Sequence, residues 1–560
     1  MSLSGEIELA VREGLFSRVL ELLAARGTPT QAAKTLRIEA LFQCGETRAA
    51  AKEAEALMSR EALAPLEAAR CTTVRAEELW YRGSFSKAAV MHKQALGLAE
   101  QSDDIRQICL SAATVLERTS DRKGLDHSFA LTARVRKLAV RSGDSHLIVS
   151  SHLTFGRLEA RRGRFDVARR HFAVARRLLI DESNVWLGAA ADIDESAVLS
   201  LCGDIPGALE LAERGAVQAA ASGWSRGKVA ASGNLAYCYV ALGQFDKADL
   251  ELSRTEREPF RSPSILLALA DTRARAELAQ GNTRRAEELL DKQTDDLRTI
   301  QRWYDIVAIS TRVRALLMRA EFGPALKLAE EGLTAAESAQ VDDAVVAFTF
   351  MRAEAQIGGG QVIDPTSPLS TARDGWPPAT LADRRLVLSR AFAAIDDGPR
   401  ANLEIGRAVR IYRSSGTIGG APREVRSAPP DTPAPPTLDS AVALLELAGH
   451  PHILGREAFA ILDGAGCCAQ LALLAVGPTS ARAVAVAGWT DTQAVAALAK
   501  AKPDDVTVLG VHRDETWLLL VRPGPDLDDH CTVAAVRKLV VTARTLDRYR
   551  RDEQERSALW

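Results

Sequence analysis

Three groups of residues in this chain have types and spacings that could do chemistry. Gly223-Trp224-Ser225-Arg226-Gly227 fits GxSxG, the pattern of a nucleophilic serine on a strand-to-helix elbow. That elbow needs a strand before the serine and His and Asp partners within reach. Here the motif falls between two helical stretches and reads as a turn. His450, His452, Cys467, Cys468, His512, His530 and Cys531 gather towards the C-terminus. No pair among them has the CxxC or HxxxH spacing of a tetrahedral ion site, and adjacent cysteines point to opposite faces of a strand. Asp526, Asp528 and Asp529 offer too few alternating oxygens for calcium, whereas Asp529 suits a helix cap. No GxxxxGK[ST] phosphate loop occurs. The reading is a non-enzyme with no catalytic residue, no metal and no cofactor.

The elements around these residues are organised by a repeat. A Gly, a bulky or β-branched residue two positions later and an Ala five later recur at Gly45/Thr47/Ala50, Gly83/Phe85/Ala88, Gly163/Phe165/Ala168, Gly203/Ile205/Ala208, Gly243/Phe245/Ala248 and Gly281/Thr283/Ala286. Ala320/Phe322/Ala325 is a copy without the Gly. The steps between anchors are 38, 80, 40, 40, 38 and 39 residues, and the step of 80 holds a weaker unit at Gly124. Seven residues before the anchors stand small residues, Ala76, Gly156, Ser196, Ala236 and Ala274. Gly ends a helix in the left-handed conformation, the bulky residue inserts between two helices, and the small residues let those helices approach. Such a pair cannot bury its apolar face alone, so neighbours must stack.

The stretch Asn234-Leu235-Ala236, Tyr239, Gly243, Phe245 and Ala248 resembles the tetratricopeptide repeat over about residues 5–355. The resemblance implies a right-handed α-solenoid whose first helices line a concave groove. Six residues before each anchor, Glu77, Arg118, Arg157, Ala197, Tyr237, Arg275 and Arg314 would face that groove. Arginine pairs bidentately with carboxylates, so Arg118, Arg157, Tyr237, Arg275 and Arg314 would suit an acidic peptide or a protein carboxylate. Asn234 would hydrogen-bond its backbone. The alternative, in which the same arginines form intramolecular pairs with neighbouring Glu and Asp, stays open.

Segments 381–395 and 402–412 read as one more hairpin, so the array is expected over 1–413. Residues 414–437 are rich in Pro and Gly and read as an extended linker. Residues 438–547 follow a different pattern. Ala441–Leu447 reads as a helix, and Glu457–Leu462, Cys467–Val476 and Ala483–Ala487 as buried strands. Thr492–Ala501 reads as a short helix, and Val506–Val511 with Thr516–Val521 as a hairpin. A long helix begins near Thr532 with a stripe of Val536, Leu539, Ala543 and Leu546 and ends in a polar stretch, 548–560. This order of elements resembles a small α+β GAF-type sensor domain. The whole order resembles the N-terminal regulatory region of bacterial sigma-54-dependent enhancer-binding transcription activators. The resemblance implies a protein or peptide partner in the groove, a small ligand in the GAF-like domain, a homodimer through the C-terminal helix, and a chain that continues beyond Trp560. A free-standing scaffold or adaptor with a structural C-terminal domain is the alternative.

Composition agrees with a mostly helical chain. Of 560 residues 47% are apolar and 26% charged, and Lys plus Arg (71) nearly balance Asp plus Glu (73). The net charge of −2 argues against direct nucleic-acid binding. The eight scattered cysteines form no disulfide framework and read as buried thiols of a reducing compartment. With neither a secretion signal nor a membrane span, a cytoplasmic location is expected.

Overall fold

The computed structural model describes residues 3–25, 30–123, 129–181, 184–294, 302–364, 376–415, 451–464, 468–476, 481–487, 489–501, 506–512 and 515–523, with Thr417, Ala421, Val425, Val536, Val540 and Val541. The chain divides into two units, Met1–Gln361 and Val362–Trp560.

The first unit is built of helices α1 (Leu3–Arg12), α2 (Phe16–Ala24), α3 (Gln31–Gln43), α4 (Thr47–Arg60), α5 (Pro65–Tyr81), α6 (Phe85–Gln101), α7 (Ile105–Lys123), α8 (Phe129–Ser142), α9 (Ser145–Arg161) and α10 (Phe165–Asp181). It continues with α11 (Val185–Leu201), α12 (Ile205–Ser222), α13 (Ser225–Ala241), α14 (Phe245–Thr255), α15 (Pro263–Gln280), α16 (Thr283–Thr294), α17 (Arg302–Met318), α18 (Phe322–Ala339) and α19 (Asp342–Gly358). They pack as successive pairs, each odd helix from α1 to α17 against the next even one, and from α3 to α19 each odd helix also packs against the next odd one. This is a tetratricopeptide-like solenoid, as the spacing requires.

The anchors behave as their residue types demand. Gly45 takes φ 95 at the end of α3, and the N–H of Glu46 reaches back to the carbonyl of Leu41 at 3.0 Å. The same five-residue back-bond closes α5, α9, α11, α13, α15 and α17, through Ser84, Arg164, Asp204, Gln244, Asn282 and Glu321. Ala320 adopts φ 58 without being a glycine, at a cost of about 1 kcal/mol that the pair must absorb. The alanines five residues on, Ala50, Ala88, Ala168, Ala208, Ala248, Ala286 and Ala325, are all buried, and so are Phe85, Phe165 and Ile205. A further copy, Gly14 with Leu15 bonded back to Ala10, closes α1. Its 31-residue distance from Gly45 lies outside the regular step and hid it from the repeat. Gly124 lies outside the described residues.

The pairs coil until one turn rests on the next. The N–H of Val185, opening α11, donates to the carbonyl of Glu13 at 2.9 Å, and the side-chain amide of Asn184 donates to Arg12 at 2.8 Å, both just past α1 or at its end. The Gly45 turn after α3 abuts Ser225 at the start of α13. Gly83 after α5 meets Pro263 at the start of α15, α7 touches α17, and Gly163 after α9 abuts Asp343 at the start of α19. Each first helix of one turn therefore stands end-on over the first helix five pairs later. Carbonyl ends face N–H ends, so the partial charges of the two termini are complementary, and between α1 and α11 the Val185 N–H finds its acceptor on Glu13.

The second unit begins with α20 (Pro378–Ala394) and α21 (Gly398–Ser414), followed by α22 (Pro451–Gly464), β1 (Cys468–Val476), β2 (Ala481–Ala487), α23 (Asp491–Leu498), β3 (Val506–His512) and β4 (Glu515–Pro523). The four strands form an antiparallel sheet in the order β2-β1-β4-β3. Alternate residues divide its faces. Leu471, Leu473, Ala475, Trp517, Leu519 and Val521 pack with α22 and with Leu381, Leu386, Val409 and Tyr412 of the hairpin. Ala472, Leu474 and Leu520 pack with Ala494 of α23.

Three expectations change. Glu457–Leu462 is helix, not strand: Leu454, Ala458 and Leu462, four apart, are all fully buried, and Pro451 opens the helix. A six-residue apolar window could not reveal that period. The 378–414 hairpin, expected to end the array at 413, shares its core with the sheet and belongs to the second unit. Within the expected linker, Ala421 and Val425 are buried in that same core. The rest of 414–437, the Ala441–Leu447 helix, the acidic cluster at 526–529 and the 548–560 exit helix lie outside the described residues. Val536 of the expected stripe is buried in the core of the second unit, as is Val540, which the stripe did not include; Leu539, Ala543 and Leu546 lie outside the described residues.

Candidate functional site

The row six residues before the anchors is brought together on the first helices of the coil, and it divides into two stretches. In the upper stretch the charges are matched. Arg118 of α7 donates two bonds to Glu77 of α5, at 2.9 and 2.7 Å, and its guanidinium lies 4.7 Å over the Trp80 ring. Buried His92 stands 3.1 Å from the same carboxylate. Burial alone would raise the Glu77 carboxyl, but Arg118 and His92 hold it well below the usual range. Arg157 of α9 bridges neighbours on both sides: it bonds Glu117 of α7 and donates to Asp194 of α11 at 2.7 Å. Burial raises both carboxyls. Arg157 and Arg118 overcome this at Glu117, down to about 2, whereas Asp194 stays raised.

Arg226 of the GxSxG stretch joins this group. It donates to the Tyr81 hydroxyl at 3.2 Å, and its charge acts on Glu77, Glu117 and Asp194. Charges from α5, α7, α9, α11 and α13 thus converge on the inside of the coil. Ser225 is the fully buried first residue of α13, bonded to Glu258 at 3.0 Å, and Gly223 before it is the left-handed cap of α12. The local chain is helix, turn, helix, with no strand to form an elbow.

The lower stretch differs. Asn234 uses its amide to fasten α13 to α11, donating to the Ile193 carbonyl at 2.8 Å and to Ser196 Oγ at 2.7 Å. Tyr237, Arg275 and Arg314 follow on α13, α15 and α17. Arg275 lies 5.8 Å from the Tyr237 ring centre and donates to Asp271 at 2.6 Å, while Thr311 donates to the other oxygen of Asp271 at 2.5 Å. Arg314 is close enough for its charge to oppose that of Arg275. The Arg275 side chain retains 29% exposure. Here two guanidiniums and a phenol stand side by side.

Sequence reasoning missed the acids that meet the row. Asp271 was visible as the i,i+4 partner of Arg275. Glu117 and Asp194 reach Arg157 from other helices, and no local spacing announces them. Cys71, Cys109 and Cys238 are buried thiols and Cys202 is partly buried; desolvation pushes the first two up to about 11 and Cys202 and Cys238 to about 12. Among the described residues no cluster of His, Cys, Asp and Glu could hold a metal, and no helix is long and apolar enough to cross a membrane. Of the C-terminal His and Cys group, His450, Cys467, His530 and Cys531 lie outside the described residues.

No known family matches the chain, and no curated protein matches it. Among solved structures it is similar to a Rap protein complexed with competence and sporulation factor, at 11% identity and a TM-score of 0.48, covering 62% of this chain and 99% of that one. It is also similar to the apo form of the quorum sensor NprR from B. thuringiensis, at 11% identity and a TM-score of 0.41, with the same coverage.

Proposed function

We propose that the first unit is a non-enzymatic recognition array that takes an acidic segment of a partner protein or peptide against Tyr237, Arg275 and Arg314. The observation that carries this reading is the Arg275 guanidinium, paired with Asp271 yet still open to solvent, beside the Tyr237 ring and within charge range of Arg314. An incoming carboxylate would pair in plane with the N–H donors that Asp271 leaves on the Arg275 guanidinium. Arg118 and Arg157 are then the frame of the site. Their carboxylate partners hold neighbouring pairs at fixed spacing, and displacing them would strand buried acids. The second unit, a sheet with helices on both faces, is the part we assign to relaying the binding event as a GAF-like domain of a transcription regulator. A small ligand or a homodimer contact through its C-terminal helix would serve that relay.

The test is affinity capture by the full chain, followed by a titration with the captured segment. Arg275→Glu with Arg314→Glu should abolish capture and leave the helical content unchanged. Equal capture by parent and variant rejects the assignment. The scaffold alternative draws its support from the charge-matched upper stretch, and it predicts capture that depends on neither arginine.

A further inference from the structure

The seam between the two turns of the coil is a second feature of the first unit, and it stands apart from any ligand. It runs from Arg12–Gly14 against Asn184–Trp186, through Gly45 against Ser225 and Pro259 and Gly83 against Pro263, to Gly163 against Asp343. Near its middle Tyr81 sits between Phe42, with ring centres 5.7 Å apart, and Phe260, at 4.9 Å, while its hydroxyl accepts the Arg226 bond. A Cβ on Gly45 would lie 2.8 Å from both Pro259 and Ser225, and one on Gly14 would lie 2.7 Å from Asn184. These turns therefore use glycine twice, for the left-handed backbone and for the approach of the next turn. Gly281 is the internal contrast: it has φ 91, like the φ 95 of Gly45, yet no atom lies within 4 Å of where its Cβ would be.

We propose that this seam is a clasp, and that the coil opens along it in one step between a closed and an open form. Two physical differences single out this line. The seam joins helix ends, whose carbonyl and N–H groups water can satisfy once they part. The seam's apolar contact in its middle is the Phe42–Tyr81–Phe260 stack, whereas the faces inside each pair bury Ala and Phe along the helices, so parting them would expose more apolar surface. The one-step character follows from the cross-links between first helices. Arg157 ties α9 to both α7 and α11, Asn234 ties α13 to α11, and Thr311 ties α17 to α15. Lifting one contact therefore drags its neighbours. Arg226 belongs to the second turn but sits among the acids of the first, so opening also withdraws a cation from Glu77 and Glu117.

Amide hydrogen exchange on the full chain tests this, with Val185 as reporter because its N–H bonds across the seam to Glu13. Gly45→Ala, 140 residues away in sequence, should speed exchange at Val185 by about tenfold or more, whereas Gly281→Ala should leave Val185 at the parental rate. Tyr81→Phe keeps the ring packing and removes the Arg226 bond across the seam together with the hydroxyl's bond to Glu77 on its own helix, and it should speed Val185 severalfold. That variant carries the test if Gly45→Ala does not fold. A parental Val185 rate in the folded variants, with loosening confined to the substituted pair, means that the contacts open independently and overturns the proposal. Acceleration of Val185 by Gly281→Ala to the same extent as by Gly45→Ala overturns it as well.

Discussion

Asp343 should make the first unit more stable when its charge is removed. The carboxyl sits at the start of α19 beneath the Gly163 turn, and its Oδ1 has no hydrogen-bond partner among the described residues. Burial pushes it up from 3.8 to about 6; the backbone N–H groups of Asp343 and Ala344 pull the other way but are outweighed, and Asp342 adds to the rise. The unfolded chain releases this proton near its ordinary value, while the folded chain holds it to about 6. The stabilisation is therefore complete below pH 3.8 and is lost as pH rises through about 6. At about 1.4 kcal/mol per pKa unit, the ionised carboxylate costs roughly 3 kcal/mol at neutral pH. Residual solvent contact and the favourable place of an anion at a helix N-terminus reduce this to about 1–2 kcal/mol. Asp343→Asn should thus slow exchange of the α19 amides by about tenfold at pH 7.5, and the gap should close towards pH 4.5. Exchange in α19 reads this locally and does not require the two-unit chain to unfold in one step. A variant that matches or falls below the parent at every pH refutes the burial argument.

Other outcomes follow from the same contacts. His152 and His171 face each other with Nδ1 atoms 2.9 Å apart, and burial, reinforced by the charge of Arg136 on both rings, lowers both, His171 to about 4. As pH falls from 6.5 to 4 the unfolded chain takes up protons first, so α9 and α10 should lose about 1–2 kcal/mol, and His171→Leu should flatten that dependence in an acid denaturation series. Gly332 lies against the Phe348 ring, where a Cβ would stand 2.3 Å away, while Gly323 in the same helix has nothing within 4 Å. Gly332→Ala should cost about 1–3 kcal/mol, and Gly323→Ala should gain up to about 1 kcal/mol, read from chemical denaturation. Glu77→Gln leaves Arg118 and His92 without their carboxylate and should cost about 3 kcal/mol, with the near-ultraviolet signal of Trp80 reporting the change.

Local chemistry made the repeat legible. Gly in the left-handed turn, Ala at the crossing and a bulky residue between helices act within one pair, so their spacing alone gives the array from Gly45 to Ala325. What joins distant parts was hidden. The contact of Gly14 with Asn184 spans 170 residues and depends on how far each pair rotates from the last, which no short window encodes. The place of the 378–414 hairpin was hidden for the same reason, since an amphipathic pair reads alike whether it stacks on another pair or on a sheet. Of the row, positions were readable and partners were not. Arg118 and Arg157 share residue type and spacing with Arg275, and the source of the carboxylate sets them apart: it arrives from another helix for the first two and from the same helix, Asp271, for the third.

Head-to-tail stacking of helices five pairs apart has a consequence for how such an array can change through evolution. An open row of hairpins can be lengthened by duplicating one of them, because each touches only its neighbours. Here an extra hairpin inserted midway would slide every later helix off its mate by one place, setting Val185 over the wrong carbonyl and Pro263 beneath the wrong turn. Growth is free at either terminus and forbidden in the middle, so the copy number between Gly14 and Asp343 is fixed by geometry.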